Sequence, residues 1–370
     1  MKILLFANTD WYLFNFRLPL AKALRERGHE VILLSPPGDY ATRLEQAGFR
    51  WLAFPFSRQG VNPWGELVTL TRLIRLYRRE KIDIAHHFTI KCVLYGAIAA
   101  RLSGVKLTIS AVTGLGHVFT TPSARNRLLR PLVSLLYRFA LVRSQVIFQN
   151  RDDHDAFIRL GLTRADNSHL ISSSGVNIHD FSPATPKPHS PPFRVLMVAR
   201  LLKEKGVREY VEAAALVRRA RPDVACLLAG SPDPGNPSSI EPSQIAQWDP
   251  DGHVTLLGHV DNIREWLPTC HLAVLPSYRE GTPRSLVEAA ACGLPLVATD
   301  VPGCREIVRH GDNGLLVPAY DAASLAAAIL QLLADPDLCT RMGQRSRTIA
   351  VNAFSEARII AETLKIYGHL

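Results

Sequence analysis

Short apolar runs alternate with longer amphipathic stretches along the whole chain. Ile3–Ala7, Val31–Ser35, Trp51–Phe56, Ile82–Ala85, Leu107–Ala111 and Val146–Gln149 have the length and continuity of strands buried on both faces. Phe16–Arg27, Gly65–Glu80 and Val93–Ser103 lie between them and read as helices. In the first of these, Leu18, Ala21, Leu24 and Arg25 keep a step of three or four residues, and Gly28 stands where a helix stops. The segment Phe181–Phe193 breaks the rhythm. It holds Pro183, Pro186, Pro188, Pro191 and Pro192 with few apolar residues, a linker composition. The alternation then restarts: Arg194–Ala199 as a strand, Gly206–Arg219 as a helix, and Ala225–Ala229, Val254–Leu257, His271–Pro276 and Leu296–Thr299 as further strands. Strands alternating with helices predict βαβ units and parallel sheets covered on both faces. The expected architecture is α/β, with two Rossmann-like domains, 1–182 and 194–353, joined by a linker at 183–193.

A length of 370 residues suits two domains. With 47% hydrophobic and 21% charged residues, wholesale disorder is excluded. The six cysteines never form a CxxC or a zinc-finger spacing, so neither a disulfide scaffold nor a structural zinc is expected, and a reducing compartment fits. No apolar run reaches the roughly 18–20 residues of a membrane-spanning helix. The N-terminus lacks the longer apolar stretch of a signal peptide, so a cytoplasmic, non-spanning protein is expected.

Charge changes this picture. Residues 1–185 carry 24 basic and 13 acidic side chains, net +11, whereas residues 186–370 carry 19 and 20, net −1. An excess confined to one half points to a polyanionic partner there: nucleic acid, an anionic membrane surface or a phosphorylated lipid. Within that half, Arg125, Arg127, Arg130, Arg138 and Arg143 interleave with Leu128, Leu129, Leu132, Val133, Leu135, Leu136, Tyr137 and Phe139, with no acid between them. A basic amphipathic helix of this kind can lie in a membrane interface. The competing reading is a core helix with an arginine-rich exposed face.

The second half carries the chemistry. In Pro276-Ser277-Tyr278-Arg279-Glu280-Gly281-Thr282-Pro283-Arg284-Ser285-Leu286-Val287-Glu288, a strand ends at Pro276, a loop follows, and a helix begins near Ser285. Amides at a helix start suit a phosphate. Glu280 and Glu288, near the same mouth, could accept hydrogen bonds from vicinal hydroxyls, which suits a sugar nucleotide; one capping and one surface glutamate would fit the spacing equally well. Arg200 and Lys205 follow the restart strand, where two cations can neutralise a diphosphate. Gly230 and Gly258 end two more strands, where backbone can approach a nucleotide. Asp153-His154-Asp155 is formally a DxD metal motif, but it reads as a helix start at which acids suit the dipole without an ion. No GxGxxG follows the first strand, which argues against a dinucleotide oxidoreductase.

Taken together, the Arg200…Lys205-Gly206 turn, the Glu280-x7-Glu288 pair and the Asn313-Gly314-Leu315-Leu316-Val317-Pro318 segment resemble the retaining glycosyltransferases of family 4, which have the GT-B fold. The resemblance implies two domains facing across a cleft and a last helix, 354–370, packing back on the first domain. It implies that Arg200 and Lys205 hold the donor diphosphate and Glu288 the ribose. Glu280 would contact the transferred sugar, with Gly281, Thr282, Pro283, Arg284 and Ser285 at sugar and phosphate and Gly230 and Gly258 beside the nucleotide. Asn15-Phe16-Arg17-Leu18-Pro19, Ser57-Arg58-x3-Asn62-Pro63 and Thr113-Gly114-Leu115-Gly116 with Val118-Phe119 are similar to bacterial transferases that extend glycans on undecaprenyl diphosphate. That implies a UDP-sugar donor, with UDP-N-acetylhexosamine among the candidates. It also implies a lipid-linked or growing surface glycan as acceptor, and peripheral attachment to the inner face of the cell membrane. Asn15, Arg17, Lys91, Thr113 and Gly114 would contact the acceptor, with His86 beside them. Many members carry a histidine where Thr113 stands here, and His117 is the candidate to take its catalytic place. Closure about the proline-rich segment would exclude water. The nucleotide sugar is a substrate; no cofactor or metal is expected. A sugar-nucleotide epimerase of the same fold is the alternative enzyme. A basic nucleic-acid-binding protein is the alternative of another class, without a recognised signature.

Overall fold

The computed structural model describes residues 1–56, 63–114, 124–184 and 190–368. His117, Leu115, Gly116, Val118 and Phe119, the Ser57-Arg58 and Asn62 positions, and Pro186 and Pro188 lie outside the described residues, as does the side chain of Arg125. The chain forms two compact units: Met1–Ser174 with Ile359–Leu370, and Gly175–Arg358.

The first unit is built on a parallel sheet of β1 (Lys2–Phe6), β2 (Glu30–Ser35), β3 (Arg50–Ala53), β4 (Ile84–Phe88), β5 (Leu107–Val112), β6 (Ser144–Phe148) and β7 (Ser168–Leu170). Their order in space is β3-β2-β1-β4-β5-β6-β7. Strand alternation sends Ile3 and Leu5 to one face and Leu4 and Phe6 to the other. The first face packs on the helix Asp10–Glu26 and on Ile359, Ile366 and Tyr367 of the last helix, Glu356–Tyr367. The second packs on the helix Pro63–Glu80 and on Cys92, Ala99 and Ala100 of the helix Ile90–Ser103. The first helix starts six residues before the expected Phe16, because the Thr9 hydroxyl caps it, accepting from the Tyr12 amide at 3.1 Å. The expected strand Ile82–Ala85 lies further along, as β4. His86 is therefore inside the strand, not past its end: both it and His87 are buried, beside aromatic rings that replace water around the imidazoles.

The second unit has a parallel sheet of β8 (Phe193–Val198), β9 (Val224–Ala229), β10 (Val254–Gly258), β11 (Leu272–Leu275), β12 (Leu296–Thr299) and β13 (Gly314–Val317), in the order β10-β9-β8-β11-β12-β13. The residues just before the proline-rich segment belong to this unit. Val176 and Phe181 are buried in its core, and Arg347 donates to the carbonyls of Ile178 and Phe181 at 2.9 and 2.7 Å. The chain thus passes between units at Ser174–Gly175 and Arg358–Ile359, ahead of the prolines and after the helix Pro336–Phe354. Among the described residues no single helix is long and apolar enough to cross a membrane.

Candidate active site

In an open α/β sheet, ligands bind beyond the carboxyl ends of the strands where the winding reverses. In the second unit this point lies between β8 and β11: the chain winds outward from β8 to β9 and β10, then returns to the other side of β8 as β11. The loop after β8 carries Arg200 and Lys205, and the loop after β11 carries Glu280. The structure joins these loops tightly. Lys205 Nζ is 2.5 Å from Glu280 Oε1, with only 18% and 10% of the two side chains exposed. The buried Ser277 hydroxyl donates to the same oxygen at 2.6 Å, and the Glu280 amide donates to the Pro302 carbonyl at 3.2 Å. Glu280 is therefore held by a cation, a hydroxyl and its own backbone.

Gly206 makes this proximity possible. It has φ +69°, and a Cβ there would lie 2.1 Å from the Pro276 carbonyl oxygen at the end of β11. Tyr278 ties the loops a second time. Its amide donates to the Glu204 carbonyl at 2.9 Å, and its hydroxyl donates to the Glu209 carboxylate, 2.8 and 2.9 Å from the two oxygens, on the helix Val207–Ala220.

Arg200 turns the other way. Its Nη1 is 2.6 Å from Asp233 Oδ2, in the loop beyond β9, and its side chain is 60% exposed. Gly230 and Gly258 join the ends of β9 and β10, the Gly230 amide donating to the Gly258 carbonyl at 2.8 Å. The helix predicted near Ser285 spans Arg284–Ala291 and opens at Pro283, with Gly281 and Thr282 in the loop before it. Arg284 donates to Glu288 at 2.7 Å across one helical turn. Burial pushes the Glu288 carboxyl above its usual value, and the Arg284 charge partly opposes that rise.

Spacing alone did not single out Ser277, Asp233, Tyr278, Glu209 or Gly303. Gly303 has φ +83°, and a Cβ there would come within 2.4 Å of the Gly281 carbonyl oxygen and 2.6 Å of that of Glu280. Its position in a turn just after β12 was the available signal.

In the first unit the reversal point lies between β1 and β4. A cavity of about 250 Å³ opens there, lined by Asn8, Phe56, Thr89, Ile90, Lys91 and Thr113. It brings Lys91 and Thr113 together, with Gly114 next in the chain; Lys91 Nζ is 2.6 Å from Glu66. Asn15 and Arg17 do not line it. Asn15 donates to the Trp11 carbonyl at 2.9 Å, and Arg17 faces a separate cavity with His86. Asp153-His154-Asp155 opens the helix Arg151–Arg159, where Asn150 caps the Asp153 amide at 2.8 Å and donates to the Asp153 carboxylate at 3.0 Å.

Comparisons with known proteins agree with this architecture. Residues 180–349 match the family profile described as glycosyl transferases group 1, and residues 2–150 match glycosyl transferase 4-like. N,N'-diacetylbacillosaminyl-diphospho-undecaprenol alpha-1,3-N-acetylgalactosaminyltransferase of Campylobacter jejuni is 29% identical, over 100% of this chain and 99% of its own length. UDP-Gal:alpha-D-GlcNAc-diphosphoundecaprenol alpha-1,3-galactosyltransferase of Escherichia coli is 25% identical, over 82% of this chain and 79% of its own. The crystal structure of Anabaena HepE in complex with UDP and glucose superposes with a TM-score of 0.82 at 22% identity, covering 100% of both chains. The fold and the two domain matches define a GT-B glycosyltransferase. Within that class, the chain belongs to glycosyltransferase family 4.

Proposed function

We propose that this enzyme moves a sugar, with retention of anomeric configuration, from a UDP-linked donor to a glycan carried on undecaprenyl diphosphate. The observation that carries the donor half is the meeting of Lys205 and Glu280 where the second sheet reverses, with Arg200 and the start of the helix Arg284–Ala291 on the same edge. The acceptor half rests on the names of the Campylobacter and Escherichia relatives, and on the net charge of +11 in the first 185 residues. UDP is favoured by the HepE complex and the Escherichia name. A UDP-N-acetylhexosamine is the first donor to try, given the Campylobacter one.

In the reaction, the bond from the anomeric carbon to the β-phosphate oxygen breaks and an acceptor hydroxyl adds on the same face. Its proton passes to the departing phosphate. Lys205, Arg200 and the helix start stabilise the charge that gathers on that phosphate. These groups make a metal unnecessary in this reading. A panel of UDP- and GDP-sugars read by thermal shift tests the donor, since a bound ligand raises apparent stability. The anomeric signal of the product by NMR tests retention. A GDP preference or an inverted product overturns the corresponding half. Isomerised donor without any acceptor would favour the epimerase.

An ionised Glu288 accepts from ribose hydroxyls more strongly than a protonated one. Because burial raises the folded-state value, this group's contribution to stability is fully present below the ordinary carboxylate value, about 4.5, and is lost as pH rises through the raised one. Binding of UDP follows the opposite course. Its affinity falls as pH drops through the raised Glu288 value. Glu288→Gln weakens UDP at neutral pH and flattens the profile. Calorimetry of UDP across the mildly acidic range gives the answer; an unchanged profile in the variant removes Glu288 from the ribose.

The same proposal includes an anionic membrane surface at the cytoplasmic face as a partner. On the helix Ala124–Leu141, Leu128, Leu132, Leu135 and Phe139 are exposed at steps of three or four residues, and Leu128 is 82% exposed. Tyr137, Ala140 and Leu141 turn to the core instead. On the helix Pro63–Glu80, Trp64, Leu67 and Val68 are exposed too, Trp64 at 77%. An apolar stripe flanked by arginines suits an interface of lipid headgroups and acyl chains. With about 1 kcal/mol per cation near an anionic surface, Arg127→Glu, Arg130→Glu and Arg143→Glu together should cut partitioning onto phosphatidylglycerol vesicles roughly a hundredfold or more. Unchanged co-sedimentation would remove the membrane from the proposal.

A further inference from the structure

Arg17 lies in the helix Asp10–Glu26 and is only 8% exposed. Its guanidinium sits 4.3 Å from the ring centre of Phe88 and 5.3 Å from that of Tyr12, and Nη2 donates to the Tyr12 hydroxyl at 2.7 Å. Among the described residues no carboxylate pairs with it, and its buried Nε–H has no acceptor. Beside it is His86, 1% exposed, whose Nδ1 is 2.8 Å from the hydroxyl of Tyr367 on the last helix and whose Nε2 is unpartnered. An oxygen acceptor in the cavity would select the tautomer with the proton on Nε2, the Tyr367 hydroxyl then donating to Nδ1. Burial first, and then the Arg17 charge, keeps this histidine well below its usual value, so it adds a neutral donor and not a second charge.

Both nitrogens belong to residues that line one small cavity, together with Gln149 and Ser173. Gln149 follows β6, and Ser173 lies beyond β7, so the cavity is at the carboxyl edge of the first sheet, where such folds bind ligands. Its free space is about 10 Å³, room for one oxygen atom. A water there would satisfy the N–H groups but leave a buried guanidinium without a counter-charge, which is costly. An oxygen of an anion satisfies both.

We propose that the Arg17–His86 cavity is an oxyanion subsite that receives one oxygen of a phosphoryl group, with the diphosphate of the acceptor as its source. This rests on the acceptor reading above and assigns a place to the acceptor's charge, apart from the Lys91–Thr113 cavity. The second unit's site would also take phosphates, so the test is run with UDP saturating. Calorimetry then compares farnesyl diphosphate, farnesol and inorganic pyrophosphate on the full chain. Farnesyl diphosphate binds the wild type; Arg17→Gln weakens it about ten- to a hundredfold, the loss expected for a charged hydrogen bond, and Arg17→Lys weakens it less. His86→Gln, which keeps a donor, binds nearly as the wild type does. UDP affinity, a property of the second unit, stays constant in every variant, and an unchanged far-ultraviolet circular dichroism melt shows that the first unit is folded. If Arg17→Gln does not fold, Arg17→Lys carries the comparison.

Farnesol binding as tightly as farnesyl diphosphate, or an Arg17 variant binding the diphosphate normally, overturns the subsite. Pyrophosphate binding as well as farnesyl diphosphate and displacing it overturns the lipid as the source. If the wild type binds no farnesyl diphosphate at all, the acceptor reading fails along with the subsite. UDP binding would still be intact in that case.

Discussion

Lys205→Ala lowers transfer by on the order of 10²–10³-fold, as removal of one preorganised charge-stabilising donor does. Three features make this lysine the most sensitive position. It is mostly buried, so its charge acts in a medium less screening than water. Its ammonium is already fixed against Glu280, so little reorganisation is needed when charge develops on the leaving diphosphate. Its backbone is locked by Gly206 against β11. Removing it also takes the Lys205 ammonium from the Glu280 carboxylate, which disturbs the proposed contact with the sugar. The effect belongs in kcat more than in the affinity for UDP, because the charge grows in the transition state. Arg200→Ala falls in the same range, but its guanidinium is more exposed and paired with Asp233, so more of its loss shows in donor binding. Glu280→Gln keeps an oxygen for Ser277 and impairs transfer more than UDP binding. Steady-state rates of UDP release with acceptor present, beside calorimetry of UDP, separate these cases. Near-normal turnover in both Lys205→Ala and Arg200→Ala removes the diphosphate from this loop.

Much of the scaffold was open to a reading of the residues because parallel strands are buried on both faces. A run such as Leu296–Thr299 has no solvent side to be interrupted by polar residues, and it is a strand over those same residues. The exceptions share a cause. β7, Ser168–Leu170, is an edge strand of polar composition, and β13 begins with a glycine, packed against the Leu296 carbonyl, in place of an apolar residue. The expected strand stopped at Ala85, with His86 at its end, because imidazoles usually seek water; the partners of the buried His86 and His87, Tyr367 and Tyr77, come from other parts of the chain.

The site divides the same way. Arg200, Lys205, Glu280 and Glu288 stand at strand ends and helix starts, and such positions carry their own punctuation. Asp233, Glu209 and Gly303 are defined by what folding brings to them: a guanidinium 33 residues away, a tyrosine hydroxyl 69 residues away, and two carbonyls of a neighbouring loop. No spacing encodes those distances. In the first unit, Arg17 and Lys91 were grouped as acceptor contacts, yet they line separate cavities. Arg17 stacks on the face of β4 that carries His86 and Phe88, whereas Lys91 follows the strand's end. Only the strand's alternation decides this, and the expected strand ended too early to show it.

Gly206→Ala produces the other large effect, and comparison with Gly252→Ala isolates its cause. The two glycines have the same φ, +69°, and belong to the same unit. Nothing lies within 4 Å of a Cβ at Gly252, so alanine there meets only the left-handed backbone penalty, about 1–2 kcal/mol. At Gly206 the same penalty is joined by a Cβ 2.1 Å from the Pro276 carbonyl oxygen and 2.8 Å from its carbon. Neither atom is the tip of a side chain that could turn away; both belong to the backbone leaving β11. The loop carrying Lys205 must therefore lift from the loop carrying Glu280, lengthening the 2.5 Å pair and straining the bond from the Tyr278 amide to Glu204. Gly252→Ala should lower the thermal midpoint of this unit by a few degrees, at about 2–4 °C per kcal/mol, and keep its activity. Gly206→Ala should lower it two- to threefold further and lose transfer as completely as Lys205→Ala, since a displacement of about 1 Å in a positioning group can cost a hundredfold. Equal midpoints and equal activities in the two variants would mean that the approach of these loops contributes nothing to the site. A stable but inactive Gly206→Ala would instead place the whole effect in the geometry of the Lys205–Glu280 pair.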